Sequence, residues 1–251
     1  MTGLYSDEAN KIKNGRFHYY HPNGIIRSTG TYHDNKKTGL WLQYHNNGML
    51  ADSTFYKEDK QQGLSKNWSP DGYITDSTFF RADGSGVQVA WFTNGSPSIA
   101  GLYGPGQQKT GKWKYYHRNG KPSSEEYYKN DKLIDKRFFN EDGTAKADTT
   151  NPEKNASFPG GQEAWRKYLL KNLYFPSQYK LQNADQATVV VSFIIDESGK
   201  VAEAYVSDPF HPAFDAIALR LIQKSPDWIP AIDQHNRHVK AYRKQPVSFV
   251  Q

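Results

Sequence analysis

Histidine, aspartate and a serine–lysine pair are the residues of this 251-residue chain whose spacing suits chemistry. His21, His45 and His117 occupy one recurring position. A metal site needs its ligands within a few ångströms of one ion, but equivalent residues of successive two-strand units stand about 10 Å apart. They read as surface residues beside a turn. Asp52-Ser53-Thr54 and Asp76-Ser77-Thr78 recur in the same way and read as exposed strand residues, not as catalytic acids. Ser177–Lys180 matches S-x-x-K and Lys109–Gly111 matches K-T-G, two parts of an acyl-transferring serine site. Their order along the chain is wrong for that chemistry, and K-T-G recurs at Lys37–Gly39 as an inter-repeat turn. There is no GxSxG, HExxH or P-loop pattern and no paired Asp/Glu cleft. Cysteine is absent, which excludes disulfides, zinc thiolates and cysteine nucleophiles. The expectation is a non-enzyme with no cofactor and no metal.

The element that positions these residues is a repeat. Gly39–Tyr56 (GLWLQYHNNGMLADSTFY) reads as one β-hairpin turning at Asn47-Gly48. With its first glycine as position zero, the unit recurs at Gly15, Gly39, Gly63, Gly86, Gly111 and, without the glycine, Ile134. Nine residues on comes a turn glycine preceded by Asn or Asp, from Asn23-Gly24 to Asp142-Gly143. An aromatic stands at +5 in every unit, and another at +17 in the first five, Tyr32 to Tyr128. Two-residue type I′ turns at the Asn/Asp-Gly pairs would set the +17 ring opposite the zero glycine, as Tyr56 over Gly39. The +5 and +17 rings are expected to form the core. The +4 column changes character along the array, so Tyr19, Tyr115 and Phe138 are candidates for a partly exposed binding surface.

The stretches Gly39–Gly48 and Gly111–Gly120, G-x-W-x-x-Y-x-x-N-G, resemble the MORN-type repeat, in the bacterial variant of the YwqK-type family described as antitoxin components. The resemblance covers residues 1–145. Ser65, Gln88 and Lys136 replace Phe17, Trp41 and Trp113 in the third, fourth and sixth units. Gly3-Leu4-Tyr5 matches Gly101-Leu102-Tyr103, so the array is expected to start mid-repeat, either after a lost upstream segment or with a short degenerate strand.

After Gly143 the aromatic period stops, and residues 146–157 read as a polar linker. From 158 the order is helix (Gly161–Leu173), strand (Ala187–Asp196), turn (Glu197–Lys200), strand (Val201–Ser207), helix (Pro212–Lys224) and strand (Val239–Val250). That is an α-β-β-α-β, α+β domain over residues 158–251. The opening Phe158-Pro159-Gly160-Gly161, the pair Phe175-Pro176, the run Val189–Val201, the closure Trp228-Ile229-Pro230 and the ending Pro246–Phe249 resemble the C-terminal domain of TonB in its Bacteroidetes form. Asn183–Gln186 replace glycines usual before its central strand. TonB's membrane helix and proline-rich spacer are not in this sequence, so the expectation is that it does not by itself transduce energy as TonB does.

The net charge of +6 is spread over both halves without a basic cluster, which argues against nucleic acid. No apolar run is long enough to span a membrane. The leading reading is a non-enzymatic cell-envelope binding protein, periplasmic given an export signal upstream of Met1. Its TonB-like domain is expected to dock a segment of a protein partner, an outer-membrane transporter or another envelope protein, by β-augmentation, with the array as scaffold. The expected edge is Val239, Lys240, Ala241, Tyr242 and Arg243. The rivals are a cytoplasmic antitoxin-like protein sequestering a partner on the repeat face, and a glycan or peptidoglycan binder.

Overall fold

The computed structural model describes residues 2–5, 12–150, 152–182 and 184–251. It divides into two units, Met1–Thr149 and Thr150–Gln251.

The first unit is one antiparallel sheet. Its strands are β1 (Thr2–Tyr5), β2 (Lys13–Tyr20), β3 (Ile26–His33), β4 (Lys36–Tyr44), β5 (Leu50–Lys57), β6 (Lys60–Gln61), β7 (Gly63–Trp68), β8 (Ile74–Phe80), β9 (Gly86–Trp91), β10 (Pro97–Gly104), β11 (Gln108–Tyr116), β12 (Pro122–Lys129) and β13 (Lys132–Phe138). Each pairs with its sequence neighbour, except that β5 pairs with both β6 and β7, so β1 and β13 end an open row.

The hairpin turns fall where the sequence places them but are not type I′. In the first, the His21 amide donates to Ile25 and the Gly24 amide to His21, with Gly24 at φ 83°. Asn23 is not left-handed. This is a three-residue loop, a type I turn closed by a left-handed glycine. It shifts the pairing by one, and a bulge between Tyr19 and Tyr20 shifts it back. Gly15 therefore still faces Tyr32, as Gly39 faces Tyr56 and Gly111 faces Tyr128. Two-residue turns with both φ positive do occur, at the other end of the strands, at Asp34-Asn35, Glu58-Asp59 and Asn130-Asp131.

The expected cover of Gly39 by Tyr56 is absent: a Cβ on Gly39 would meet nothing within 4 Å. The glycines covered by a +2 ring are Gly3, Gly30 and Gly101, under Phe17, Trp41 and Trp113, and Gly86 lies against its cross-strand partner Phe80. These +2 rings lie in the buried core together with Phe80 at +17, while Tyr20 at +5 is 42% exposed. Rings meet edge to face from Phe17 through Tyr32 to Trp41, and again from Tyr103 to Trp113, at centroid distances of 4.9 to 5.2 Å. Lys37 and Lys109 lie over these ladders, 4.7 Å from Trp41 and 4.4 Å from Trp113. The degenerate units follow from the same geometry. Where Thr54 and Thr78 replace the covered glycine, Ser65 and Gln88 replace the ring. Thr54 Oγ1 lies 2.7 Å from Ser65 Oγ, and Thr78 pairs with Gln88.

Successive units are stitched at the turns. His21, His45 and His117 bond through Nε2 to the carbonyls of Tyr44, Trp68 and Phe139 in the next unit. Asn23, Asn47, Asn94 and Asn119 donate to the carbonyls of Asn46, Pro70, Arg118 and Glu141. The histidine column therefore serves the backbone of its neighbour. Asp52 and Asp76, expected to be exposed, are half-buried acceptors for Thr54 and Thr78.

The second unit contains α1 (Gly161–Asn172), β14 (Gln186–Ile195), β15 (Val201–Asp208), α2 (Pro212–Gln223), β16 (Ala231–Ile232), β17 (His238–Val239) and β18 (Ala241–Val250). α1 starts at the left-handed Gly160, and α2 at Pro212, with the His211 ring accepting from the Ala213 amide. The core joins Val189, Val191, Phe193 and Ile195 of β14 with Phe214 and Ile222 of α2, Val247 and Phe249 of β18, and the cluster Phe158, Trp165 and Trp228. The segment read as a linker is partly bonded into this unit. Lys154 and Ser157 bridge to Ile232 and Ile229, and Ala156 is buried. Its side chains are polar or small, but its backbone supplies the contacts.

Candidate functional site

The sheet of the second unit runs β15-β14-β18, so β14 is central and two strands are left as edges. The sequence points to the centre: β14 is apolar along its helix-facing side, and Ser192 and Ile194 are buried on the other face as well. β18 carries Pro246 opposite Val190, a residue without a donor that suits an edge. The two edges differ. β18 pairs with β14 over ten residues without a register shift. β15 shifts register twice and holds Glu203 at φ 49°. A bulged, twisted edge resists strand addition, whereas a regular one is a template for it.

On the outer face, Ser192 pairs with Tyr205 on one side and Lys244 on the other, and Ile194 pairs with Tyr242. Tyr242 is 82% exposed and Tyr205 59%, although Ile194 between them is buried. With Glu203 they border a groove of about 520 Å³. An exposed pair of rings beside a regular open edge presents apolar surface and unpaired backbone groups together.

The expected edge residues part company here. Ala241, Tyr242 and Arg243 lie in β18, opposite Ile195, Ile194 and Phe193. Val239 does not: it pairs with Ala231 in a separate two-strand ribbon, and Lys240 links the two. Arg243 points to the helix side. Its guanidinium lies 4.8 Å over Trp228 and donates to the Ala156 carbonyl, and burial lowers its pKa. It braces the edge and does not face a partner. Tyr205 was missed by the sequence reading, although its place in V-A-E-A-Y-V, out of phase with Val206, marks it as outward.

Two of the three candidate rings of the array are not surface residues. Tyr115 and Phe138 are 2% and 1% exposed. The +4 position shares a face with +2, so Tyr115 stacks on Trp113 at 6.4 Å and its hydroxyl accepts from Lys109 at 3.0 Å. Tyr19 is half-buried; its hydroxyl takes Lys13 Nζ at 3.2 Å and lies 3.4 Å from that of Tyr32. Burial alone would raise the Tyr19 pKa, but bonds with Tyr32 and Lys13 outweigh it and lower it.

Comparison with known proteins follows the same division. Residues 171–250 match the Gram-negative bacterial TonB protein C-terminal family. Residues 13–34, 37–58 and 109–130 match the MORN repeat variant. The unmatched stretch between them holds the third and fourth units, where polar pairs replace ring and glycine. A search of curated proteins finds no match. Neither family is known for catalysis. TonB C-terminal domains generally interact with proteins and point to a periplasmic or envelope context. No helix among the described residues is long and apolar enough to cross a membrane. The chain thus carries MORN-variant repeats followed by a TonB C-terminal domain.

Proposed function

We propose that this chain is a non-enzymatic protein-interaction protein of the cell envelope, whose TonB-type domain docks an extended partner segment as an added strand on β18. The repeat array is its scaffold. One observation carries the reading: β18 is a regular ten-residue edge beside the exposed Tyr242. Backbone pairing along Ala241–Gln245 supplies affinity, and the Tyr242–Tyr205 groove selects a side chain two residues apart on the incoming strand. Lys244 beside the groove favours an acidic or carbonyl-rich segment.

The test uses synthetic peptides covering the periplasmic N-terminal extensions of outer-membrane transporters encoded in the same genome. Titrated into the isotope-labelled chain, a binding peptide should shift and protect the amides of 241–250, and Tyr242→Ser should weaken it. Shifts confined to β15 or to the array, or no shift with any such peptide, would overturn the reading.

A further inference from the structure

The two faces of the array are chemically different. Adjacent residues of a strand point to opposite faces. Opposite the ring ladder, six apolar side chains form one row across β4, β5, β7, β8, β9 and β10: Leu40, Phe55, Leu64, Phe79, Val87 and Leu102. Leu40 pairs with Phe55, Leu64 with Phe79, Phe79 with Val87, and Val87 with Leu102. The Gln62 amide donates to the Phe55 carbonyl, which brings the strand of Leu64 alongside. All six are exposed, by 41 to 53%. The row belongs to units two to four. At its first position, units one and five carry Arg16 and Lys112 instead.

Large apolar side chains in cross-strand register are not scattered surface residues; together they make one patch of the kind that marks an interaction site. Its surroundings select the occupant. On the same face stand Arg16, Lys66, Lys112, Lys114 and Arg137, against Glu125 and Asp135. Lys112 and Lys114 share the single carboxylate of Glu125, at 2.9 and 3.7 Å. A second copy laid on this face would bring basic flank onto basic flank. An acidic partner meets the opposite field. The row crosses five strand spacings of about 4.8 Å, roughly 24 Å, which is the length of an α-helix of about 16 residues. The row lies on a face, where no strand can add by backbone pairing.

We propose that this row docks an acidic amphipathic helix of a protein partner. Apolar residues at i, i+3, i+4 and i+7 of the helix lie on Leu40 to Leu102, and its carboxylates reach Arg16, Lys66 and Lys112. This site is separate from β18 and stands or falls without it.

The probe is a labelled 16-residue synthetic helix with Leu on one face and Glu on the other, with a Lys-for-Glu analogue as control. Binding to the full chain is read by fluorescence anisotropy. The Glu helix should bind saturably. The Lys analogue, and the Glu helix on a Leu64→Ser, Phe79→Ser variant, should bind about tenfold more weakly or worse. Tyr242→Ser should leave binding of this probe unchanged. If the double variant does not fold, Lys112→Glu gives the same reading: weaker Glu helix, stronger Lys analogue. Equal binding of both helices, or full binding by the double variant, would overturn the proposal. So would sedimentation showing a dimer that the double variant abolishes, which assigns the row to a second copy. Displacement of the helix by anionic phospholipid vesicles that bind the chain more tightly would assign it to a membrane surface.

Discussion

The indole of Trp41 occupies the space above Gly30: a methyl group on Gly30 would stand 2.1 Å from the Trp41 Cδ2. The same indole donates its N–H to the Thr31 carbonyl at 3.1 Å. Gly30→Ala should therefore cost about 1–3 kcal/mol as overpacking, and Trp41→Ala about 3–5 kcal/mol. A double-mutant cycle by urea denaturation should show strong coupling, because removing the ring makes room for the methyl. Additive losses would show that the ring and the glycine do not share the space.

Much of this was legible from spacing. The period and the six turns follow from glycines and aromatics, and the order of the second domain from the spacing of its apolar residues. The register of Gly39 with Tyr56 came out right through two errors that cancel. The turn is one residue longer than the type I′ form, and the bulge between Gln43 and Tyr44 takes the residue back. A bulge leaves no mark in the pattern of side chains, so the sequence hides it. The core column was mistaken for a related reason. Trp41 and Tyr44 are both aromatic, and their spacing does not tell which of them packs on Gly30 of the preceding strand. The Leu64 row escaped notice because both faces of the middle units carry apolar residues, so alternation does not separate inside from outside. The role of Ala156 was hidden in its backbone, which braces Arg243 through a carbonyl.

Asp71 breaks the ladder of turn amides. Asn23, Asn47, Asn94 and Asn119 each donate to a carbonyl of the following turn, and a carboxylate cannot. Asp71→Asn places an amide where it can reach the Thr93 carbonyl, the equivalent acceptor. It should stabilise the array by about 0.5–1.5 kcal/mol, one ordinary hydrogen bond. An unchanged or lower urea midpoint would show that the third and fourth turns stand too far apart for this bond.

Burial raises the Asp52 pKa above its ordinary 3.8, against the bonds from Thr54 and Gln43 and the charge of Lys37. A raised value means that the folded chain binds this proton more tightly than the unfolded chain. Keeping Asp52 ionised therefore costs stability above the raised value, and the cost is released as pH falls through it. Asp52→Asn, which retains an acceptor for Thr54, should raise the urea midpoint at neutral pH. The gain should vanish once the medium is more acidic than the ordinary Asp value. A gain of the same size in acid would assign the effect to packing and not to charge.

Gly199 connects the β14–β15 turn to the β18 edge. It sits at φ 90°, and a Cβ there would stand 2.1 Å from the Trp228 carbonyl oxygen. The Trp228 amide donates to the Gly199 carbonyl at 2.7 Å, so the two backbones are in direct contact. Trp228 in turn packs on Phe193 and Trp165 and lies under the Arg243 guanidinium of β18. Gly199→Ala adds a left-handed backbone penalty of about 1–2 kcal/mol to a clash with atoms that cannot rotate away. It should destabilise the second unit by roughly 3 kcal/mol or more and leave the urea unfolding of the array unchanged. Because the displaced Trp228 carries Arg243 with it, hydrogen exchange along Ala241–Gln245 should quicken before the helices α1 and α2 open. Uniformly faster exchange across the unit would show instead that Trp228 holds the core as a whole and gives no separate support to the β18 edge.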